Sequence, residues 1–193
     1  MDLQIVMDLP ALKLWTDFLT ADECDALVEQ ARPRLTQSRT QDGNSQILSD
    51  WRDSENMSFK PGENALIDGI ERRIADLFQW PLENFEALQV ARYGPAQHYK
   101  QHHDYFYENA QASLANGGQR IATLLIYLNT CPSGGATQFP AVGLKVVAQK
   151  GSALYFEYRQ PVPQSKTLHA GLPVEQGEKW IMTRWFRERP WKP

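Results

Sequence analysis

The segment Tyr99-Lys100-Gln101-His102-His103-Asp104-Tyr105-Phe106 and a distant His169, in Leu168-His169-Ala170-Gly171, hold the most chemically capable side chains of this sequence. On an extended strand, side chains two apart share a face. His102 and Asp104 would then point one way and His103 the other. With His169 supplied by another strand, two imidazoles and one carboxylate make a facial set that suits non-heme Fe(II) and leaves coordination positions open. Lys179 follows in Gly177-Glu178-Lys179-Trp180, where a metal-bound dicarboxylate would need a fixed cation. Together these residues suggest oxygen chemistry at a metal.

Each residue also has a plainer explanation. His-x-Asp alone is a common triplet in strands and loops, and His98 and His103 make the region rich in rival ligands. Alternation with Asp104 favours His102, leaving His103 as an outward polar residue or hydrogen-bond partner. A lysine is ordinarily solvated. The spacing of Lys179 from His169 favours the pocket.

Two helices are expected to support the site. Thr20-Ala21-Asp22-Glu23 is a capping box that opens a helix through Ala31, ending before Pro33. A second helix is expected from about Asn64 to Trp80, where Leu66, Ile67, Ile70, Ile74, Leu77 and Phe78 form an apolar stripe. Residues 34–60 are polar and include the hairpin-type turn signal Asp42-Gly43. Beyond residue 84 the pattern turns to strands: 87–93, 120–129, 144–148, 153–158, 168–174 and 180–187. Asn116-Gly117-Gly118, Pro132-Ser133-Gly134-Gly135, Lys150-Gly151 and Gln176-Gly177 separate several of them. Many short strands after a helical N-terminal part imply a β-sandwich or jelly roll with helices packed outside.

The 193 residues read as one domain, with 1–84 as a supporting region of helices and strands and 85–189 as the core. A net charge of −3 gives no reason to expect nucleic acid or anionic lipid as a partner. Cys24 and Cys131 have no metal-binding spacing, so a reducing compartment is the simpler reading, with a single disulfide as the alternative. No stretch approaches a membrane span and the N-terminus lacks a leader pattern, so the expected location is cytoplasmic. An exposed strand edge leaves room for a homodimer.

Several ordered motifs resemble the prolyl 4-hydroxylase-type 2-oxoglutarate oxygenases. Tyr93 through Asp104 is similar to the family's Tyr-x-x-Gly-Gln-x-Tyr-x-x-His-x-Asp, with Ala96 where the family has Gly. Gly134-Gly135-Ala136-Thr137-Gln138-Phe139-Pro140 resembles Gly-Gly-Glu-Thr-x-Phe-Pro, and in Lys150-Gly151-Ser152-Ala153-Leu154 a serine replaces a frequent Asp. His169 through Val174 and Gly177 through Trp180 continue the likeness; Glu23-Cys24 and Trp51-Arg52-Asp53-Ser54 fit less specifically.

The resemblance implies a double-stranded β-helix (jelly roll), mainly β, braced by N-terminal helices. It implies His102, Asp104 and His169 as Fe(II) ligands, with 2-oxoglutarate and O2 as cosubstrates and ascorbate as an accessory reductant. Lys179 would pair with the far carboxylate of 2-oxoglutarate, beside hydroxyls from Tyr93 and Thr137. Tyr99, Arg120 and Trp185 match positions at the substrate mouth, where Tyr99 and Trp185 could stack on proline rings and Arg120 could bond a peptide carbonyl; core packing is the alternative for the two aromatics. The segment around Arg52 reads either as a lid or as a surface loop. Retention of Asp104 separates the chain from halogenating relatives, which lack that carboxylate. The implied reaction is 4-hydroxylation of a prolyl residue in a peptide or protein. Its rivals are the same chemistry on another residue, a free amino acid or a small molecule, a zinc-dependent hydrolase using the same ligands, and a jelly roll that binds without catalysis.

Overall fold

Strands are the commonest regular element of this chain. A computed structural model describes residues 1–42, 45–47, 51–158 and 160–193, the side chains of 40–42 and 45–47 aside. The early strands are β1 (Asp2–Asp8), β2 (Ala11–Thr16), β3 (Thr36–Gln37), β4 (Thr40–Asp42), β5 (Ser45–Ile47) and β6 (Glu55–Ser58). Next come β7 (Gln89–Tyr93), β8 (Tyr99–His102), β9 (Arg120–Tyr127), β10 (Ser133–Gly134) and β11 (Thr137–Phe139). The series ends with β12 (Leu144–Val146), β13 (Ala153–Glu157), β14 (His169–Gly171), β15 (Val174–Gln176) and β16 (Lys179–Arg187). Among the described residues three α-helices join them: α1 (Ala21–Ala31), α2 (Ala65–Phe78) and α3 (Gln111–Ala115).

A major sheet runs in the order β1-β2-β13-β9-β16-β7-β6-β3 and faces a minor sheet ordered β12-β11-β14-β8. Their ladders are antiparallel. This is the expected jelly roll. Alternation along its central strands fills two cores. Leu124, Ile126, Val90, Trp180, Met182 and Phe186 face the helices, meeting Leu27, Ile67, Ile70 and Ile74. Leu125, Tyr127, Tyr93, Ile181, Leu154 and Phe156 face the minor sheet, meeting Phe139 and Val146.

The helices form as their end signals dictate. Thr20 Oγ1 accepts from the Glu23 amide at 3.2 Å, and the Glu23 carboxylate accepts from the Thr20 amide at 2.9 Å, completing the capping box. Asn64 Oδ1 accepts from the Ile67 amide at 3.1 Å to open α2, and left-handed Gln79 ends it just before Pro81.

The structure corrects several expected boundaries. The N-terminal part is not only helical: β1 and β2 pair as a hairpin, with an irregular register between Leu3 and Ile5 that blurs the alternation. The expected strand 168–174 is two strands, β14 and β15, because Pro173 has no amide to continue a ladder. The strand expected at 144–148 stops at Val146. Gly43 of the expected Asp42-Gly43 turn lies outside the described residues, while flanking β4 and β5 pair with Asp42 opposite Ser45. Cys24 and Cys131 are both buried and free.

Candidate metal centre and cosubstrate pocket

Strand pairing puts His169 of β14 directly opposite His102 of β8. Asp104 completes the cluster, with ligand atoms of the three residues all within 4.8 Å of one another. Asp104 Oδ1 lies 3.4 Å from His102 Nε2 and 3.9 Å from His169 Nε2. His102 Nδ1 sits 2.8 Å from the Lys100 carbonyl, and His169 Nδ1 sits 3.0 Å from the Thr167 carbonyl. A carbonyl only accepts, so each Nδ1 carries the proton and each Nε2 presents a lone pair inward. Two neutral imidazoles and a carboxylate converging this way fit a non-heme Fe(II) ion.

The alternation argument and the structure bring the same three residues together, but by different routes. Strand β8 ends at His102, and Asp104 lies in the bend beyond it. Its placement comes from side chains instead. Thr123 Oγ1 of β9 donates to Asp104 Oδ2 at 2.7 Å, and the Tyr158 hydroxyl lies 3.0 Å from Thr123 Oγ1. Burial alone would raise the Asp104 carboxyl, but His169, His102 and Arg120 hold it well below the usual carboxylate range. Burial pushes the His169 imidazolium down to about 4, keeping the ring neutral. His103 turns away, its Nδ1 at 3.1 Å from the Tyr107 hydroxyl and its ring stacked on Tyr105. His98 pairs with Asp53 at 3.2 Å.

The cluster opens into a cavity that Tyr93, Tyr99, Thr137, Lys179 and Trp185 also line. Lys179 lies opposite Tyr93 in the β16/β7 ladder and is 3 % exposed. Among the described residues its ammonium has no ion pair or hydrogen bond, only the rings of Tyr93 and Tyr127 at 5.7 and 5.9 Å from Nζ. Burial pushes its ammonium down to about 8. Gly135 makes room for its stem: a Cβ there would lie 3.3 Å from Lys179 Cδ and 3.0 Å from Cys131 Sγ. Thr137 accepts a hydrogen bond from the buried Tyr127 hydroxyl at 2.8 Å, which leaves the Thr137 proton free for a ligand.

Arg120 departs from expectation. It does not line the cavity; its guanidinium is bidentate to Glu86, at 2.6 and 2.7 Å. It also donates to the Asp104 backbone carbonyl at 3.3 Å and lies 3.9 Å from the Trp185 ring centre. Tyr99 stacks on His102, with ring centres 3.5 Å apart. Arg52 lines the cavity, bonded to Ser54 at 2.9 Å and to Gln89 at 3.2 Å. Sequence reasoning missed Thr123, Tyr127, Tyr158 and Glu86. For Thr123 a signal existed: it is the one polar side chain in the run from Ile121 to Ile126.

Comparison with known proteins agrees with this geometry. Residues 88–187 match the 2OG-Fe(II) oxygenase superfamily. Prolyl 4-hydroxylase 1 of Arabidopsis thaliana is 38 % identical over 205 residues, covering 96 % of this chain and 72 % of the relative. The viral collagen prolyl hydroxylase of Paramecium Bursaria Chlorella virus-1, solved as its 2OG complex, superposes with a TM-score of 0.73 at 33 % identity, covering 91 % of this chain and 95 % of the viral one. A Pseudomonas putida prolyl-4-hydroxylase shares the fold at TM-score 0.64 and 23 % identity, over 92 % of each chain. The chain therefore belongs to the 2OG-Fe(II) oxygenase superfamily, within its prolyl 4-hydroxylase family.

Proposed function

We propose that this enzyme couples oxidative decarboxylation of 2-oxoglutarate, yielding succinate and CO2, to hydroxylation at C4 of prolyl residues in a peptide or protein. One observation carries the reading: a buried lysine without an anionic partner among the described residues lines the same cavity as a two-histidine, one-carboxylate cluster. An isolated buried ammonium is costly, so the pocket is built for an anion. The iron, with 2-oxoglutarate and O2, supplies the oxidising chemistry when bound.

The chain's own contribution is binding and orientation. His102 and His169 offer Nε2, and Asp104 offers Oδ1. Lys179 takes the distal carboxylate of the cosubstrate, with Tyr93 and Thr137 as neighbouring hydroxyls. The Leu125, Phe156 and Ile181 side chains give the pocket an apolar lining. Tyr99 and Trp185 present aromatic faces on which a prolyl ring can stack. Arg120, already engaged by Glu86, is read as holding Asp104 and Trp185 rather than as a direct peptide contact. Ascorbate belongs to the same reading, as a reductant that sustains turnover without changing its first cycles.

Peptide mass spectrometry tests the proposal. Protein supplied with Fe(II), 2-oxoglutarate and O2 is expected to add one oxygen to proline in a panel of proline-containing peptides. The gain should vanish without 2-oxoglutarate and in His169→Ala. Succinate released with every peptide unmodified would move the substrate to a free amino acid, another residue or a small molecule.

A further inference from the structure

We infer that Thr123 and Tyr158 form a one-way hydrogen-bond relay that fixes Asp104 as a monodentate metal ligand. The inference rests on reading His102, Asp104 and His169 as the ligand set. It starts from where β8 stops: the strand ends at His102, so no ladder fixes the Asp104 side chain. The carboxylate is held from the major sheet instead. Thr123 Oγ1 lies 2.7 Å from Oδ2, while Oδ1 faces the two Nε2 atoms.

A proton inventory sets the direction. A metal-binding carboxylate only accepts, so the single Thr123 proton goes to Oδ2. The 3.0 Å contact between Thr123 and Tyr158 then requires the Tyr158 hydroxyl to donate. Both residues are 1 % exposed, so water does not compete for either hydroxyl. Edge-on packing against Tyr105, 5.8 Å between ring centres, holds the phenol in place. Turning Oδ2 toward the metal would cost the Thr123 hydrogen bond, so the contact would favour binding through Oδ1 alone and leave a coordination position for cosubstrate or O2. Thr123 and Tyr158 are thus positioning residues, acting through Asp104.

Cobalt(II) titration of the purified protein, followed by its visible d–d absorption, tests this without turnover. Thr123→Val keeps the shape and removes the hydroxyl. Its Kd for cobalt(II) should rise about 10–100-fold, the usual effect of losing a partner of a metal ligand, with a shifted d–d spectrum. Thr123→Ser should restore both, which a purely structural role for the threonine methyl would not. Tyr158→Phe should give a smaller loss with the same spectral shift. Wild-type affinity and an unchanged spectrum in Thr123→Val would overturn the relay. Should that variant fail to fold, Tyr158→Phe decides by the same criterion. Wild-type protein that fails to take up cobalt(II) would instead overturn the ligand assignment, and the relay with it.

Discussion

Lys179 is the residue whose chemistry is most exposed to pH. Burial brings its ammonium from 10.5 down to about 8. Below pH 8 the charge is in place for the distal carboxylate of 2-oxoglutarate; above it, binding must first recover a proton. The KM for 2-oxoglutarate should therefore be level below pH 8 and rise about tenfold per unit beyond it. Stability without cosubstrate runs the other way. Between pH 8 and 10.5 the unfolded chain holds more of this proton than the folded one, so this group's contribution to stability grows with pH. Thermal melts with and without 2-oxoglutarate read both signs: ligand-induced stabilisation shrinks across the window in which the free protein gains from this group. In Lys179→Met the KM should rise by at least about 30-fold and lose its pH step. Lys179, His102, Asp104 and His169 were legible because ordered motifs carry them. Tyr158 and Glu86 were not, since each meets the site across elements far away in sequence, and linear spacing holds no trace of that; Thr123 left only its polarity in an apolar strand as a sign.

Among elements, the turn between β7 and β8 combines a legible motif with a local conflict. It carries the chain from the cosubstrate side of the major sheet to the metal side of the minor one. Gly94 donates its amide to Gln97 Oε1 at 2.7 Å, and Gln97 donates to the Asp53 carbonyl at 2.5 Å, so the glutamine of the motif is a turn brace. Ala96, where the family has Gly, sits at φ +66° and is exposed. Left-handed backbone costs a residue with a Cβ about 1–2 kcal/mol, and an exposed methyl offers little burial to offset it. Ala96→Gly also frees the unfolded chain, which returns about 0.4–1 kcal/mol of the gain. The net expectation is a stabilisation of about 0.5–1 kcal/mol and a Tm about 2 °C higher, with KM and kcat unchanged. Calorimetry checks the first and steady-state kinetics the second. Helices α1 and α2 were legible from their caps and stripe, and most later strands from their β-branched, aromatic and aliphatic residues between turn signals; the short, uncapped α3 was not. The β1/β2 hairpin and the break between β14 and β15 were not, because an irregular register and a single proline decide them.

Across the whole molecule, a buried ionic network ties the brace to the site. Arg184 of β16 reaches Glu71 of α2 at 2.9 Å and also the Glu86 backbone carbonyl. Glu86 receives Arg120 and Arg187, with its closest contacts at 2.6 and 2.8 Å. Arg187 goes on to the carbonyls of Ser113, Asn116 and Gly118 around the end of α3, while Arg120 holds the Asp104 carbonyl. One carboxylate thus neutralises two arginines that together secure a helix end and a metal-ligand backbone. Burial would raise the Glu86 carboxyl, but the two guanidiniums outweigh it and hold it below 4.5. Its stabilisation is therefore fully present above pH 4.5 and is lost as pH falls through the lowered folded value. Glu86→Gln keeps the shape but leaves both arginines without a counter-charge, and about 3–5 kcal/mol should be lost at neutral pH. Melts of the two proteins from pH 7 to pH 3 should begin about 6–20 °C apart and draw together as the wild-type carboxyl takes up its proton. A gap that stayed constant down to pH 3 would mean that packing around Glu86, and not its charge, carries the stability. Because Arg120 leans on the same carboxylate, cobalt(II) affinity at neutral pH should fall in Glu86→Gln as well. The supporting helices and the metal centre would then be coupled through ionic contacts made 34 to 113 positions apart in sequence, which is why no local pattern announced them.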